Sequence, residues 1–155
     1  MRQHLIIGVI SSCLTALLFS FSVSAQKTTQ RRYINVDRNP ALQGLPFSNA
    51  VLVGDTLYLS GRIGLDPKTG KPPAEAETEA RIAMDSLRAT LKEAGMTMDD
   101  LVMVQVSCPE ISNYPAFNAV YRTYFKKDFP ARAFLGSGPL LFGGRFEVLG
   151  IAVRR

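Results

Sequence analysis

Histidine is nearly missing from this chain: His4 is the only one among 155 residues. Tryptophan is absent, and the only cysteines are Cys13 and Cys108. With His4 and Cys13 both near the N-terminus, residues 26–155 hold neither a Ser–His nor a Cys–His relay. They also lack the nitrogen and sulfur donors of a zinc-type site, so no metal is expected. Cys108 has no partner for an internal disulfide and reads as an inert core thiol. No Walker loop and no Gly-x-Gly-x-x-Gly fingerprint occurs. Any catalysis must come from carboxylates, hydroxyls, Arg or Lys, and backbone groups. The net charge of +5 is modest. No basic stripe interleaved with aromatics accompanies it, so no nucleic-acid partner is expected.

What is present begins with a secretory signal. Met1-Arg2-Gln3-His4 is a short basic start, and Leu5 to Ala25 carries no charged residue. Val23-Ser24-Ala25 is a small-residue cleavage site. Cleavage after Ala25 is expected, which places the protein outside the cytoplasm, in the periplasm, with no membrane attachment afterwards. An uncleaved anchor is the weaker alternative, because six serines and threonines interrupt the run. A lipid-attachment box at Ile10-Ser11-Ser12-Cys13 is weaker still. Residues 26–45 read as a polar leader, and 46–155 as one domain.

Within that domain the hydrophobic pattern predicts β-β-α-β-α-β-β. Ala50–Val53 and Thr56–Ser60 are strands around a Gly54-Asp55 turn. Glu75 to Ala94 is the clearest helix, with Ala80, Ala83, Leu87, Leu91 and Ala94 on one stripe. Glu75, Glu77 and Glu79 favour its N-terminal end and read as a solvated face. Leu101–Val106 is an apolar strand, and Tyr114–Phe125 a second helix with an aromatic face. The expected architecture is α+β: a single sheet with two helices packed on one face. Strand 56–60, helix 75–94 and strand 101–106 form a parallel βαβ unit. The other sheet face needs cover that so short a chain does not supply, which points to an oligomer.

The last third holds the oddest feature. Arg132 and Glu147 sit inside two apolar strands, joined by the connection Gly136 to Gly144. A charge in an apolar strand is costly unless it is paired or used. If the two strands form an antiparallel hairpin, Arg132 and Glu147 can face each other. A structural staple and a functional site are both open on that pattern.

Ser60-Gly61-Arg62-Ile63-Gly64, Asp66-Pro67-Lys68-Thr69-Gly70, Glu93-Ala94-Gly95, Asn118 in Phe-Asn-Ala-Val-Tyr, Phe129-Pro130-Ala131-Arg132 and the end from Glu147 resemble the reactive-intermediate deaminases, the Rid or YjgF-like proteins. The likeness covers roughly residues 46 to 155. It implies a chorismate-mutase-like fold and a homotrimer with sites in the clefts between subunits. It implies hydrolysis of 2-imino acids, or their enamine tautomers, to 2-keto acids and ammonia, with no cofactor. By the same likeness Arg132 binds the substrate carboxylate and Glu147 orients or activates water. Ser60 and Gly61 line the pocket, and Asn118 lies near the ligand. Phe134 stands where many members have cysteine, and Phe47 where a tyrosine is common, so both ring positions shape the expected pocket. The alternatives are a non-catalytic trimeric module that captures carboxylate ligands or acts as a chaperone, and an RNA-cleaving activity reported for some relatives.

Overall fold

The computed structural model describes residues 30–36 and 44–155. The expected signal peptide, its cleavage site and much of the leader lie outside the described residues. Six strands form one sheet. They are β1 (Arg31–Ile34), β2 (Ala50–Val53), β3 (Thr56–Ile63), β4 (Leu101–Cys108), β5 (Ala131–Gly136) and β6 (Glu147–Val153). Helices α1 (Ala76–Glu93) and α2 (Tyr114–Tyr121) pack on one face. The spatial order is β1-β2-β3-β6-β4-β5. All neighbours are antiparallel except β4 and β5, which run parallel.

α1 forms where the apolar period placed it. Ala80, Ala83, Met84, Leu87 and Leu91 have no exposed surface. Each buried Leu contributes about 1.5–3 kcal/mol. Gly95 follows the helix with φ +74, a conformation that costs other residues a Cβ clash. Opposite the stripe, Leu57, Val104, Val106, Val148 and Ala152 complete the core, and Phe117 and Val120 of α2 close it. Cys108 is buried there, and burial raises its thiol pKa. Strand and helix meet closely at Gly64, where a Cβ would overlap the backbone carbonyl of Glu79.

Four expectations need correction. Arg31–Ile34, within the stretch read as leader, forms edge strand β1 and pairs with β2. Its Arg31 and Arg32 suit an edge, since charges discourage further pairing. β3 runs past Ser60 to Ile63, through an irregularity between Leu59 and Arg62. β3 and β4 are parallel in direction but not neighbours, because β6 is inserted between them. Finally, β5 and β6 do not form a hairpin: β4 lies between them.

The sheet face away from the helices carries Tyr58, Leu149, Ile151, Met103 and Leu135. Tyr58 is 50% exposed and Leu135 46%. This is an apolar face with no cover from the described residues of the chain itself.

Candidate active site

The first half of the site is built by the β3 irregularity. Where the ladder with β6 slips between Leu59 and Arg62, Ser60 and Gly61 stand out of register. Ser60 is held by its backbone N–H donating to the Asn49 carbonyl (3.0 Å) and its hydroxyl to the Ser48 carbonyl (2.6 Å). Glu147 opens β6 opposite Ile63 and lays its carboxylate against Gly61. A Cβ at Gly61 would overlap that carboxylate, so glycine is what lets the acid lie there. Phe47 closes the cleft from the β1–β2 connection, and Leu141 and Phe142 close it from the loop before β6. Phe142 holds φ +60, an uncommon conformation for a bulky side chain, at the tip of that loop. The cleft encloses about 180 Å³. It sets one carboxylate, Glu147, with the hydroxyls of Ser60 and Ser86 and the Arg62 side chain among largely apolar walls.

The geometry yields a sharp expectation. In Gly61→Ala the new methyl displaces the end of a flexible side chain rather than backbone, so the fold absorbs it. If the Glu147 carboxylate takes part in turnover, its displacement should lower turnover about 100-fold. A urea midpoint that drops together with activity would show instead that Gly61 serves the fold.

The second half sits on the edge strand β5 beside α2. Arg132 presents its guanidinium 4.4 Å from the Tyr121 ring centre and 5.7 Å from that of Tyr114. Its Nη2 donates to the Tyr114 hydroxyl at 3.4 Å. Such stacking suits a planar, weakly hydrated cation and leaves its forked donors available. Asn118, Arg122, Phe129 and Pro130 complete a hollow of about 260 Å³. Burial pushes the Tyr121 phenol up to about 12, with the Arg132 charge opposing. Tyr114 moves the other way: the hydrogen bond from Asn118 and then the Arg132 charge lower its pKa. Phe134 is edge-on to Tyr114 at 4.9 Å and 5.7 Å from Phe117, so its ring braces α2 instead of filling the hollow.

The expected site residues therefore fall into two groups. Ser60, Gly61, Phe47 and Glu147 converge in the cleft. Arg132 and Asn118 converge in the hollow. The two groups do not meet within one chain. Arg132 shares its rank with Val104, and Glu147 shares its rank with Ser107. These β4 positions are three apart, so the side chains leave opposite faces of the sheet. The staple reading is overturned for the same reason, and among the described residues no ion pair joins Arg132 to a carboxylate.

Glu79, read from the sequence as part of a solvated face, is fully buried. Its Oε1 accepts from the backbone N–H of Arg145 (2.5 Å) and of Phe146 (3.2 Å), and its Oε2 pairs with Arg145 Nη1 (2.7 Å). This clasp fixes the two residues just before Glu147. A signal was available: Glu79 lies four residues before Ala83, directly along the buried stripe. Tyr121 was legible only as part of a helix face and Tyr114 only as the start of that helix, because their relation to Arg132 depends on β5 docking beside α2. Among the described residues, no three His, Cys, Asp or Glu side chains converge as metal ligands would.

Comparisons with known proteins agree with this architecture. Residues 39–154 match the family model described as Endoribonuclease L-PSP. A 2-iminobutanoate/2-iminopropanoate deaminase of Capra hircus is 40% identical over 125 residues, covering 80% of this chain and 90% of that protein. The Homo sapiens protein of the same name is 36% identical over the same shares. Among solved structures, the YjgF gene product of E. coli superposes with a TM-score of 0.73 at 31% identity, covering 80% of this chain and 99% of that one. With a match that spans nearly the whole sheet and both helices, the chain belongs to the L-PSP family, the YjgF or Rid proteins.

Proposed function

We propose that this protein hydrolyses 2-imino acids, or their enamine tautomers, to 2-keto acids and ammonia. The observation that carries the reading is the lone carboxylate of Glu147 against Gly61 in one half-site, with a stacked, carboxylate-free Arg132 in the other. The names of the relatives at 36–40% identity support it. Arg132 grips the substrate carboxylate at two points. Asn118 lines the same hollow, while Ser60, Phe47 and the Leu141–Phe142 loop wall the acid's cleft. An iminium carbon is already electrophilic, so the site has to orient it, place a water and take a proton.

Water adds to C2 of the iminium, its proton passes to Glu147, and the C=N π pair moves to nitrogen. Glu147 then returns that proton to nitrogen. The hydroxyl becomes the carbonyl as the C–N bond breaks, and the hydroxyl proton leaves with ammonia as ammonium. The RNA-cleaving reading, which the family model's description carries, has no histidine beyond His4 to serve as acid or base.

Because the half-sites lie on opposite faces, the working site combines Arg132 of one copy with Glu147 of another. We take the assembly to be a homotrimer whose uncovered apolar face is buried between copies. Export to the periplasm, with residues 1–25 removed, is part of the same proposal and rests on the sequence pattern.

The test generates 2-iminopropanoate and bulkier imines with an amino-acid oxidase and follows the decay of the semicarbazone-trappable imine. Wild type is expected to accelerate hydrolysis. At substrate well below the KM of Arg132→Ala, that variant and Glu147→Gln are each strongly impaired alone, and co-expression should restore about a quarter of wild-type activity, since random assortment pairs intact halves at that frequency. Failure of wild type on every imine sinks the deaminase reading. Absence of recovery in the mixed protein sinks the shared site.

A further inference from the structure

We propose that Tyr114 is a second carboxylate-binding residue of this site, donating its phenolic proton to the ligand carboxylate that Arg132 holds. The inference rests on the reading of Arg132 as the carboxylate clamp and adds a residue to it.

Three observations converge on Tyr114. First, its oxygen accepts rather than donates toward the protein. Arg132 Nη2 donates to it at 3.4 Å. A phenol has one proton, and with the guanidinium donating to its oxygen that proton is free to be given to a ligand. Second, the ring is locked without being buried. It stands edge-on to Phe134 at 4.9 Å and lies 5.7 Å from the Arg132 guanidinium, yet Tyr114 is 42% exposed. A donor held on a rigid ring costs little entropy to engage. Third, hydrogen bonding from Asn118 and the charges of Arg132 and Arg122 all favour the phenolate, which makes the hydroxyl a stronger donor. A carboxylate has two oxygens. The guanidinium fork and the neighbouring hydroxyl together offer donors to both.

The same arrangement supplies a pH signature. The hydroxyl donates only while protonated. Above its pKa it becomes a phenolate that repels a carboxylate, so affinity is present below that pKa and lost as pH rises through it. The loss should begin below the ordinary phenol value of 10. Arg132 donates to that hydroxyl, and the Arg122 charge also acts on it. Tyr121, on the other side of Arg132, titrates near 12 and does not contribute in that window.

The experiment is calorimetric titration of the full protein with 2-oxobutyrate and with benzoate, from pH 7 to about 10. Tyr114→Phe keeps the ring contacts and removes only the hydroxyl. It should weaken both ligands about tenfold at neutral pH. The alkaline decline of the wild type should be absent in the variant. An unchanged dissociation constant, or an alkaline decline that persists in the variant, overturns the proposal. A wild type that binds neither carboxylate overturns it together with the clamp reading. If Tyr114→Phe behaves as expected but no imine is ever turned over, Tyr114 stands as a ligand residue and the deaminase reading alone falls.

Discussion

Glu147→Gln is expected to lower kcat by about 100- to 10,000-fold while leaving the binding of 2-oxobutyrate nearly unchanged. Glutamine keeps the length and shape that fill the space beside Gly61, so the cleft survives. It cannot take the proton of the attacking water, and that step is made only on the way to the transition state. Arg132→Ala should show the opposite division. Losing a two-point charged grip removes about 2–4 kcal/mol of ligand binding, which appears first as a raised KM and a raised dissociation constant. Single-turnover kinetics with calorimetry separates the two. If Glu147→Gln keeps wild-type kcat, the acid is not the water-handling group. A neutral Arg132→Ala would return that residue to a purely structural role, stacked between Tyr114 and Tyr121.

Glu79→Ala is expected to destabilise the protein by about 3–5 kcal/mol, read from urea unfolding. The carboxylate has no solvent exposure in its side chain, while Arg145 keeps 34%. Truncation leaves the backbone N–H groups of Arg145 and Phe146 without their acceptor in a buried setting, and each unsatisfied donor costs about 1–3 kcal/mol. Arg145 retains the carbonyls of Pro73 (2.9 Å) and Ala74 (2.9 Å), so the cation itself is not orphaned. Glu79→Gln, which keeps an acceptor oxygen but not the charge, should fall between. Against a typical total of about 5–15 kcal/mol, the alanine loss is large. It should also blunt turnover, because the clasp anchors the residues that lead into Glu147. A loss within about 1 kcal/mol of wild type would mean that water takes over the carboxylate's role.

Much of the site was legible because it is local. Ser60 and Gly61 end a run whose alternation breaks, and that break is the β3 irregularity. The helix stripe from Ala80 to Leu91 gave α1 to within a residue at either end. Misreadings gathered where a residue's environment comes from far along the chain. Glu79 looked solvated beside Glu75 and Glu77, although its bonds reach Arg145 and Phe146 across the fold. The short polar run at Arg31–Ile34 has the composition of a leader and becomes a strand because β2 offers a free edge.

By itself the sequence determined the chemistry available to this protein. Without a histidine or a cysteine pair beyond the N-terminal stretch, its reactive groups are carboxylate, guanidinium and hydroxyl, and Arg132 and Glu147 stand out as charges in apolar strands. Only the tertiary structure decided how those two relate. A strand's alternation records which side chains share a face, but it does not record which strand pairs with which. β5 followed by β6 reads the same whether they form a hairpin or β4 separates them. With β4 between, Arg132 and Glu147 leave opposite faces, and what looked like a pair within one chain becomes two separate groups that do not meet within it.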